Sequence, residues 1–345
     1  MHKKKASAMC RRITRHVTVV ETTLKLLNIA ACALLALGAS HTALAADYPS
    51  RPITMVVPFS PGGVSDTTGR PLAMLMSKIL GQPIVVENKA GAGGGIGMAH
   101  AAKAAPDGYT IMMGLPSISA IPVADELQGK KPSYSTSQFE GIARVSADPT
   151  VISVRSDSKW QTLQQFIDDA KKDPGSISFS SSGMYGTTHV AMERFAQAAG
   201  IKLLHVPYGG GGEQVSALLG GHVQATSQTY GNTSQHIKNG TFRPLAVQSA
   251  ERLAALPDVP TLKELGMDAE YYLWAGLFAP AGLPNDVKNV LREAAKKAIA
   301  TPEFEKVMEG MGTPIQYLDA PEFDAFWHTD EKQQAQVIKA IGKVN

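Results

Sequence analysis

A short β-branched run that ends at glycine or proline and hands over to a helical pattern recurs along this chain, and no other feature restricts the fold as much. Ile53 to Val57 stops at Pro58, and the Gly62-Gly63 pair then opens a helix carrying Leu72, Leu75, Met76 and Ile79. Ile84 to Glu87 runs into the glycine cluster 91–97, a helix follows near Met98 to Ala104, and Tyr109 to Met113 is a strand ending at Gly114. A second series starts near Pro149. It comprises Val151 to Val154, a helix over Leu163 to Lys172, Ile177 to Ser180, a helix over Thr187 to Ala199, His205 to Tyr208, a helix over Glu213 to Leu219, and strands near Val223 and Leu245. Leu273 to Phe278 reads as a last strand before helices near Asn285 to Ala300, Pro302 to Met311 and Pro321 to Ile341. Strands alternating with helices imply an α/β fold with a parallel sheet covered on both faces. So many alternations exceed one open sheet, so two lobes are expected, joined by crossing segments near 145–150 and 270–276.

The N-terminus has a different character. Lys3, Lys4, Lys5, Arg11, Arg12, Arg15 and Lys25 precede an apolar run from Leu26 to Gly38, and Ala43-Leu44-Ala45 follows. Basic start, apolar middle and small residues at the end are the order of a secretory signal. The run is 13 residues long, short of the roughly 20 that span a bilayer. Cleavage is expected between Ala45 and Ala46, with export to the periplasm. Two rival readings stay open: Ile29-Ala30-Ala31-Cys32 resembles a lipoprotein box, which would anchor the chain by lipid at Cys32, and Arg11-Arg12 resembles a twin-arginine signal. Loss of residues 1–45 removes seven of the 33 basic and one of the 30 acidic residues, turning a net charge of +3 into −3. No broad basic surface then argues for nucleic acid or anionic lipid. Cys10 and Cys32, the two cysteines, leave with the same segment, so the mature chain has no thiol nucleophile and no Cys-ligated metal.

Open α/β sheets bind ligands at the carboxyl ends of their strands, where helix N-termini present unpaired N–H groups. The loops at those ends, Phe59 to Asp66, 91–97, Gly114 to Ser119, Ser180 to Thr188 and Tyr208 to Gly212, are rich in Gly, Ser, Thr and Pro. Glycine lets backbone approach a ligand and hydroxyls donate without bulk, which suits an anion held by dipoles. Glycine after a strand is also what any tight turn needs; the joint occurrence at one sheet edge carries the argument. No Gly-x-Ser-x-Gly elbow, His-Glu-x-x-His or Walker-type Gly-Lys-Ser/Thr occurs. His189 and His205 have no paired acid in sequence and are read as buried, hydrogen-bonded residues. Asp66, just after Gly-Gly, reads first as a helix cap.

The run Pro58-Phe59-Ser60-Pro61-Gly62-Gly63-Val64-Ser65-Asp66, the cluster Gly91-Ala92-Gly93-Gly94-Gly95-Ile96-Gly97 and the segment Ala105-Pro106-Asp107-Gly108-Tyr109-Thr110 resemble the Bug-type receptors of tripartite tricarboxylate transport systems. The resemblance continues through Ser181-Ser182-Gly183, His205-Val206-Pro207-Tyr208 and Gly276-Leu277-Phe278-Ala279-Pro280 across nearly the whole mature chain. It implies a two-lobed periplasmic-binding-protein fold of type II-like form with a hinged cleft: lobe 1 over 46–146, lobe 2 over 147–273, and a return to lobe 1 over 274–345. It also implies capture of a small organic carboxylate, without chemistry, cofactor or metal, but not which one; Gln228, a dipole without charge, offers no compensating charge to an ammonium group, so an amine-free di- or tricarboxylate or an aromatic acid is expected. The expected partner is a set of inner-membrane transporter subunits or a sensor kinase, and the expected state a monomer. A secreted hydrolase on the same scaffold is the reading of another class, and it lacks a visible nucleophile with a base. Carried over by position, the ligand residues are Phe59, Gly62, Gly63, Asp66, Ser117, Ser181, Gly183, Tyr208 and Gly210. Gln228 joins them as a departure, standing where the family commonly has aspartate; Tyr185 stands where glycine is common and Gly209 where lysine is common.

Overall fold

The computed structural model describes residues 48–343; the expected signal over 1–45 lies outside the described residues. The chain runs through β1 (Ile53–Val57), α1 (Val64–Leu80), β2 (Ile84–Asn88), α2 (Gly95–Ala102), β3 (Thr110–Gly114), α3 (Ser117–Leu127) and the long β4 (Phe139–Arg155). It continues through α4 (Leu163–Lys172), β5 (Ser178–Ser181), α5 (Thr187–Ala199), β6 (Leu204–Pro207), α6 (Gly211–Leu219), β7 (Ala225–Thr229), α7 (Tyr230–Lys238) and β8 (Phe242–Val247). The last elements are β9 (Tyr272–Pro280), α8 (Asn285–Ile299), α9 (Pro302–Met311), β10 (Ile315–Asp319) and α10 (Ala320–Ile341).

Two half-sheets share one strand. β1 pairs in parallel with β2 and β3, and β5 pairs in parallel with β6 and β7. Between them, the first part of β4 lies antiparallel to β9 and β10, while its residues from Thr150 onward lie antiparallel to β7 and β8. The wholly parallel sheet expected from the alternation is therefore mixed, because β9 brings the chain back across the boundary in the opposite sense. The strand expected over 151–154 begins at Phe139 and passes through Pro149, which pairs with Tyr272. Proline reads as a strand boundary because it gives no N–H to a ladder, and here it sits where β4 exchanges its neighbours. Helices α3 and α7 also escape the sequence pattern. The first contains Pro122, and the second, YGNTSQHIK, lacks an apolar repeat and has only Gln235 and Lys238 as strong helix formers.

Each half-sheet has its own apolar core. In the first, Ile53, Met55, Leu72 and Met76 are fully buried, and Phe278 packs on Phe323 (5.1 Å between ring centroids) and Trp327 (4.9 Å) of α10. In the second, Ile152, Phe166, Phe179 and Phe195 form a buried cluster. Each such side chain contributes roughly 1.5–3 kcal/mol on burial, so the strand ends and their loops are carried by rigid supports. One glycine shows how tightly the loops are seated: a Cβ on Gly97 in α2 would lie 2.6 Å from Pro58 Cα and 2.7 Å from Lys89 O. Both are backbone atoms that cannot rotate away. Gly97→Ala is expected to destabilise the fold by about 1–3 kcal/mol through overpacking, measured by urea unfolding; an unchanged midpoint would show that loop 58–60 yields freely.

Candidate functional site

The carboxyl ends of β1 and β3 from one half-sheet face those of β5 and β7 from the other across a small cavity of about 20 Å³. Phe59, Gly63, Val64, Ser65 and Leu115 line it from the first side, and Ser182, Thr187, Thr188, Gly211, Gln214 and Gln228 from the second. That volume holds about one water. The loops are in direct contact: Ser60 N–H donates to Gly209 O at 3.2 Å, Asn232 Nδ2 donates to Gly62 O at 3.4 Å, and a Cβ on Gly63 would stand 2.9 Å from Gly211 N. An organic acid of several carbons fits only if these loops first separate.

Three helices, α1, α5 and α6, begin at this cavity, and their N-caps are Gly63, Gly186 and Gly210. None of the three is capped by a side-chain hydrogen bond. The first N–H groups of a helix have no partner within it, and a side-chain oxygen at the N-cap is the usual remedy. Three glycine caps leave those donors and the positive ends of the helix dipoles for an anion.

The side chains add directed donors. Thr188 Oγ1 accepts the Ser182 N–H (2.8 Å) and donates to Gln214 Oε1 (3.0 Å), so the Gln214 carbonyl is committed and its Nε2 is left without a partner. Thr187 Oγ1 and Gln228 Nε2 are likewise buried and unpartnered. A buried donor without an acceptor costs about 1–3 kcal/mol, which an incoming carboxylate oxygen removes. Among the described residues, no Lys, Arg, Asp or Glu lines the cavity.

Of the residues expected from sequence, Phe59, Gly63 and Gln228 lie on the cavity. Gly62, with φ of +82°, Gly183, with φ of +105°, and Gly210 lie in the seam where facing loops meet. Asp66 is turned away: its carboxylate accepts from Gly62 N (3.0 Å) and Asn88 Nδ2 (2.9 Å) and pairs with Arg70 (2.8 Å). Burial alone would raise its pKa, but the bonds from Arg70, Gly62 and Asn88 outweigh burial and hold it below the usual carboxylate range. Asp66 thus braces the loop that precedes α1. Ser181 Oγ is engaged by His205 Nε2 and by Gly183 O and N, and Ser117 is fully buried and off the cavity. Tyr208 lines a separate open groove with Ser60, Pro61 and Glu213. Thr187, Thr188 and Gln214 were missed; a glycine followed at once by two threonines at a helix start was the available signal, and Gln214 had none.

Beside these residues, His189 and His205 pack with their rings tilted by 37° and their centroids 4.1 Å apart. His189 Nδ1 accepts the Tyr185 N–H at 3.0 Å. Burial, and then the neighbouring His205, pushes His189 down to about 3, and burial pushes His205 down to about 4. Both are neutral in the fold, while an unfolded histidine takes a proton near pH 6.5. Their contribution is therefore complete above pH 6.5 and is lost as pH falls towards 4, at about 1.4 kcal/mol per pH unit for each ring. We expect His205→Asn to flatten the fall in unfolding free energy between pH 6.5 and 4.5 relative to the parent; parallel profiles would mean that the pair does not titrate in this way.

A family profile described as "Tripartite tricarboxylate transporter family receptor" matches residues 69–343. Among solved structures, periplasmic binding protein BugD is 33% identical, with a TM-score of 0.79 over 85% of this chain and 98% of that one. MatC from Rhodopseudomonas palustris, solved with bound malate, is 26% identical, with a TM-score of 0.78 over 84% of this chain and 100% of that one. Another R. palustris protein, solved with adipate, is 25% identical, with a TM-score of 0.78 over 86% of this chain and 98% of that one.

Proposed function

The chain belongs to the tripartite tricarboxylate transporter receptor family, and from that premise we propose that it captures a small organic carboxylate lacking an amino group, in the cavity between its two half-sheets. Receptors of this family bind and do not catalyse. The observation that carries the ligand class is the wall of the cavity: three glycine-capped helix N-termini and the free donors of Thr187, Gln214 and Gln228, with no acid among the described lining residues. An ammonium group entering this space would be desolvated without a compensating charge, which costs several kcal/mol. A carboxylate meets donors on every side. Four to six bonds to a charged group, at roughly 1.5–3 kcal/mol each, less at least about 4 kcal/mol for association, reach the −8 kcal/mol of a micromolar complex. Dicarboxylates are the leading class within this reading, in keeping with malate and adipate in the two relatives.

The reading extends to location and partner. The mature chain acts in the periplasm, opening and closing about the place where β4 and β9 cross, and delivers its ligand to membrane transporter subunits; a sensor protein would use the same cleft. No helix of the described residues is long and apolar enough to cross a membrane. A thermal-shift and calorimetric screen of malate, succinate, adipate, citrate and terephthalate beside aspartate and glutamate tests the ligand class, since a ligand of the folded state raises its melting temperature. Binding of an amine-free acid is expected. Tight binding of the amino acids alone would overturn the reading.

A further inference from the structure

A second depression, of about 510 Å³, shares no lining residue with the cleft cavity. One wall comes from α2 and α3, with Ile96, Ala99 and Ile121, and the other from Met184 and Tyr185 on the loop that precedes α5. It is therefore assembled from both half-sheets, and the two walls touch: a Cβ on Gly93 would lie 2.8 Å from Met184 O. Its size falls within the usual range for small-molecule sites, and its apolar floor is bordered by polar residues that include His100, Gln128 and Ser133. Ile96 presents 56% of its surface to solvent there, an unfavourable placement for a branched apolar side chain at a helix start.

Two features mark this seam as more than a gap in packing. The two non-glycine residues with positive φ among those described, Ala92 at +49° and Tyr185 at +54°, both line it, one from each wall. Such backbone persists only where its surroundings hold it, and it gathers at ligand sites. Tyr185 is held by its hydroxyl on Gly342 O (2.8 Å) and its N–H on His189 Nδ1 (3.0 Å). The rim is basic. Lys103 and Lys130 line the pocket, and neither has a carboxylate within 4 Å among the described residues; Lys130 Nζ donates to Gln128 Oε1 at 2.7 Å and interacts at longer range with Asp125. The single acid of the lining, Asp125, is partly buried, and that burial raises its pKa.

We propose that this pocket is a second binding site, for a small amphipathic carboxylate whose apolar body lies on Ile96, Ala99, Ile121 and Met184 and whose carboxylate is met by Lys103 and Lys130. Because both walls must be in place, an occupant favours the arrangement of the half-sheets described above, and by linkage a cleft ligand that alters that arrangement changes binding here by the same factor. The proposal does not depend on which ligand the cleft takes.

Calorimetric titration of the folded protein with benzoate, its neutral isostere benzamide and benzylammonium tests it. Benzoate is expected to bind, with benzamide and benzylammonium at least about tenfold weaker, the size of one lost charge-assisted bond. The double variant Lys103→Ala/Lys130→Ala should lose about tenfold or more for benzoate and keep its melting temperature, both side chains being exposed. Ala99→Trp, which fills the floor, should abolish binding; if it fails to fold, Ile96→Asp replaces it at an exposed position. Equal affinity for benzoate and benzamide, unchanged affinity in the lysine double variant, or no heat up to about 10 mM benzoate would each overturn the proposal. So would simple competition between benzoate and a cleft dicarboxylate, which would place benzoate in the cleft.

Discussion

Gly63→Ala is expected to weaken ligand binding by roughly 5- to 150-fold while leaving the ligand-free protein close to its parent in stability. The backbone at Gly63 has φ of −87° and ψ of 172°, which alanine adopts without strain. What alanine lacks is room across the cleft, since its Cβ would lie 2.9 Å from Gly211 N and 3.4 Å from Gly211 Cα. Those atoms belong to the N-terminus of α6 in the other half-sheet and cannot rotate aside. Overpacking of this kind costs about 1–3 kcal/mol, and it falls on every arrangement that keeps the Gly63–Gly211 approach; a ligand that widens the cavity elsewhere and keeps this approach is bound more weakly by the corresponding factor. With the loops apart, the methyl group meets solvent. The ligand-free melting temperature should then hold to within about 2 °C, as for a surface change. Calorimetry with the best ligand of the screen, paired with thermal unfolding, checks both halves. Parent-like affinity would mean that ligand binding does not need the Gly63–Gly211 approach.

Gln228→Glu should act more strongly still, with a loss of at least about 100-fold for amine-free carboxylates. The substitution keeps the shape and replaces the unpartnered Nε2 donor with a carboxylate oxygen at a position only 1% exposed. A lost bond to a charged ligand accounts for about 1.5–3 kcal/mol, and like charge against a bound carboxylate in a desolvated space adds to it. The same negative charge supplies what an ammonium group needs, so affinity for aspartate or glutamate should appear or rise. Lowering the pH should recover part of the dicarboxylate affinity as the new side chain is protonated. A variant that binds dicarboxylates as the parent does would remove Gln228 from the site.

Gly63 was visible in the sequence because a Gly-Gly pair between a strand and a helix is a local signal, and Gln228 because it departs from a familiar pattern. Gln214 left no such trace, and Thr188 only the Gly186-Thr187-Thr188 run at a helix start. Their role depends on a chain of bonds from Ser182 N through Thr188 Oγ1 to Gln214 Oε1, which joins three separate segments. Ser181 and Ser117 illustrate the converse. A hydroxyl at a strand end looks available, but His205, 24 positions away, occupies the Ser181 hydroxyl, and Ser117 Oγ, buried and unpartnered like Thr187 Oγ1, does not line the cavity.

By itself, the order of residues determined the α/β class and the succession of strand, glycine loop and helix, which follow from periodicity and turn chemistry acting over a few residues; the family was legible in the resemblance of whole motifs, from Pro58-Phe59-Ser60 to Ala279-Pro280. Only the tertiary structure decided that β4 passes through Pro149 to serve both half-sheets, that Asp66 turns away to Arg70 and Asn88, and which donors remain free. A hydrogen bond is consumed or left over by whatever partner the fold brings within about 3 Å, and that partner is commonly far away in sequence.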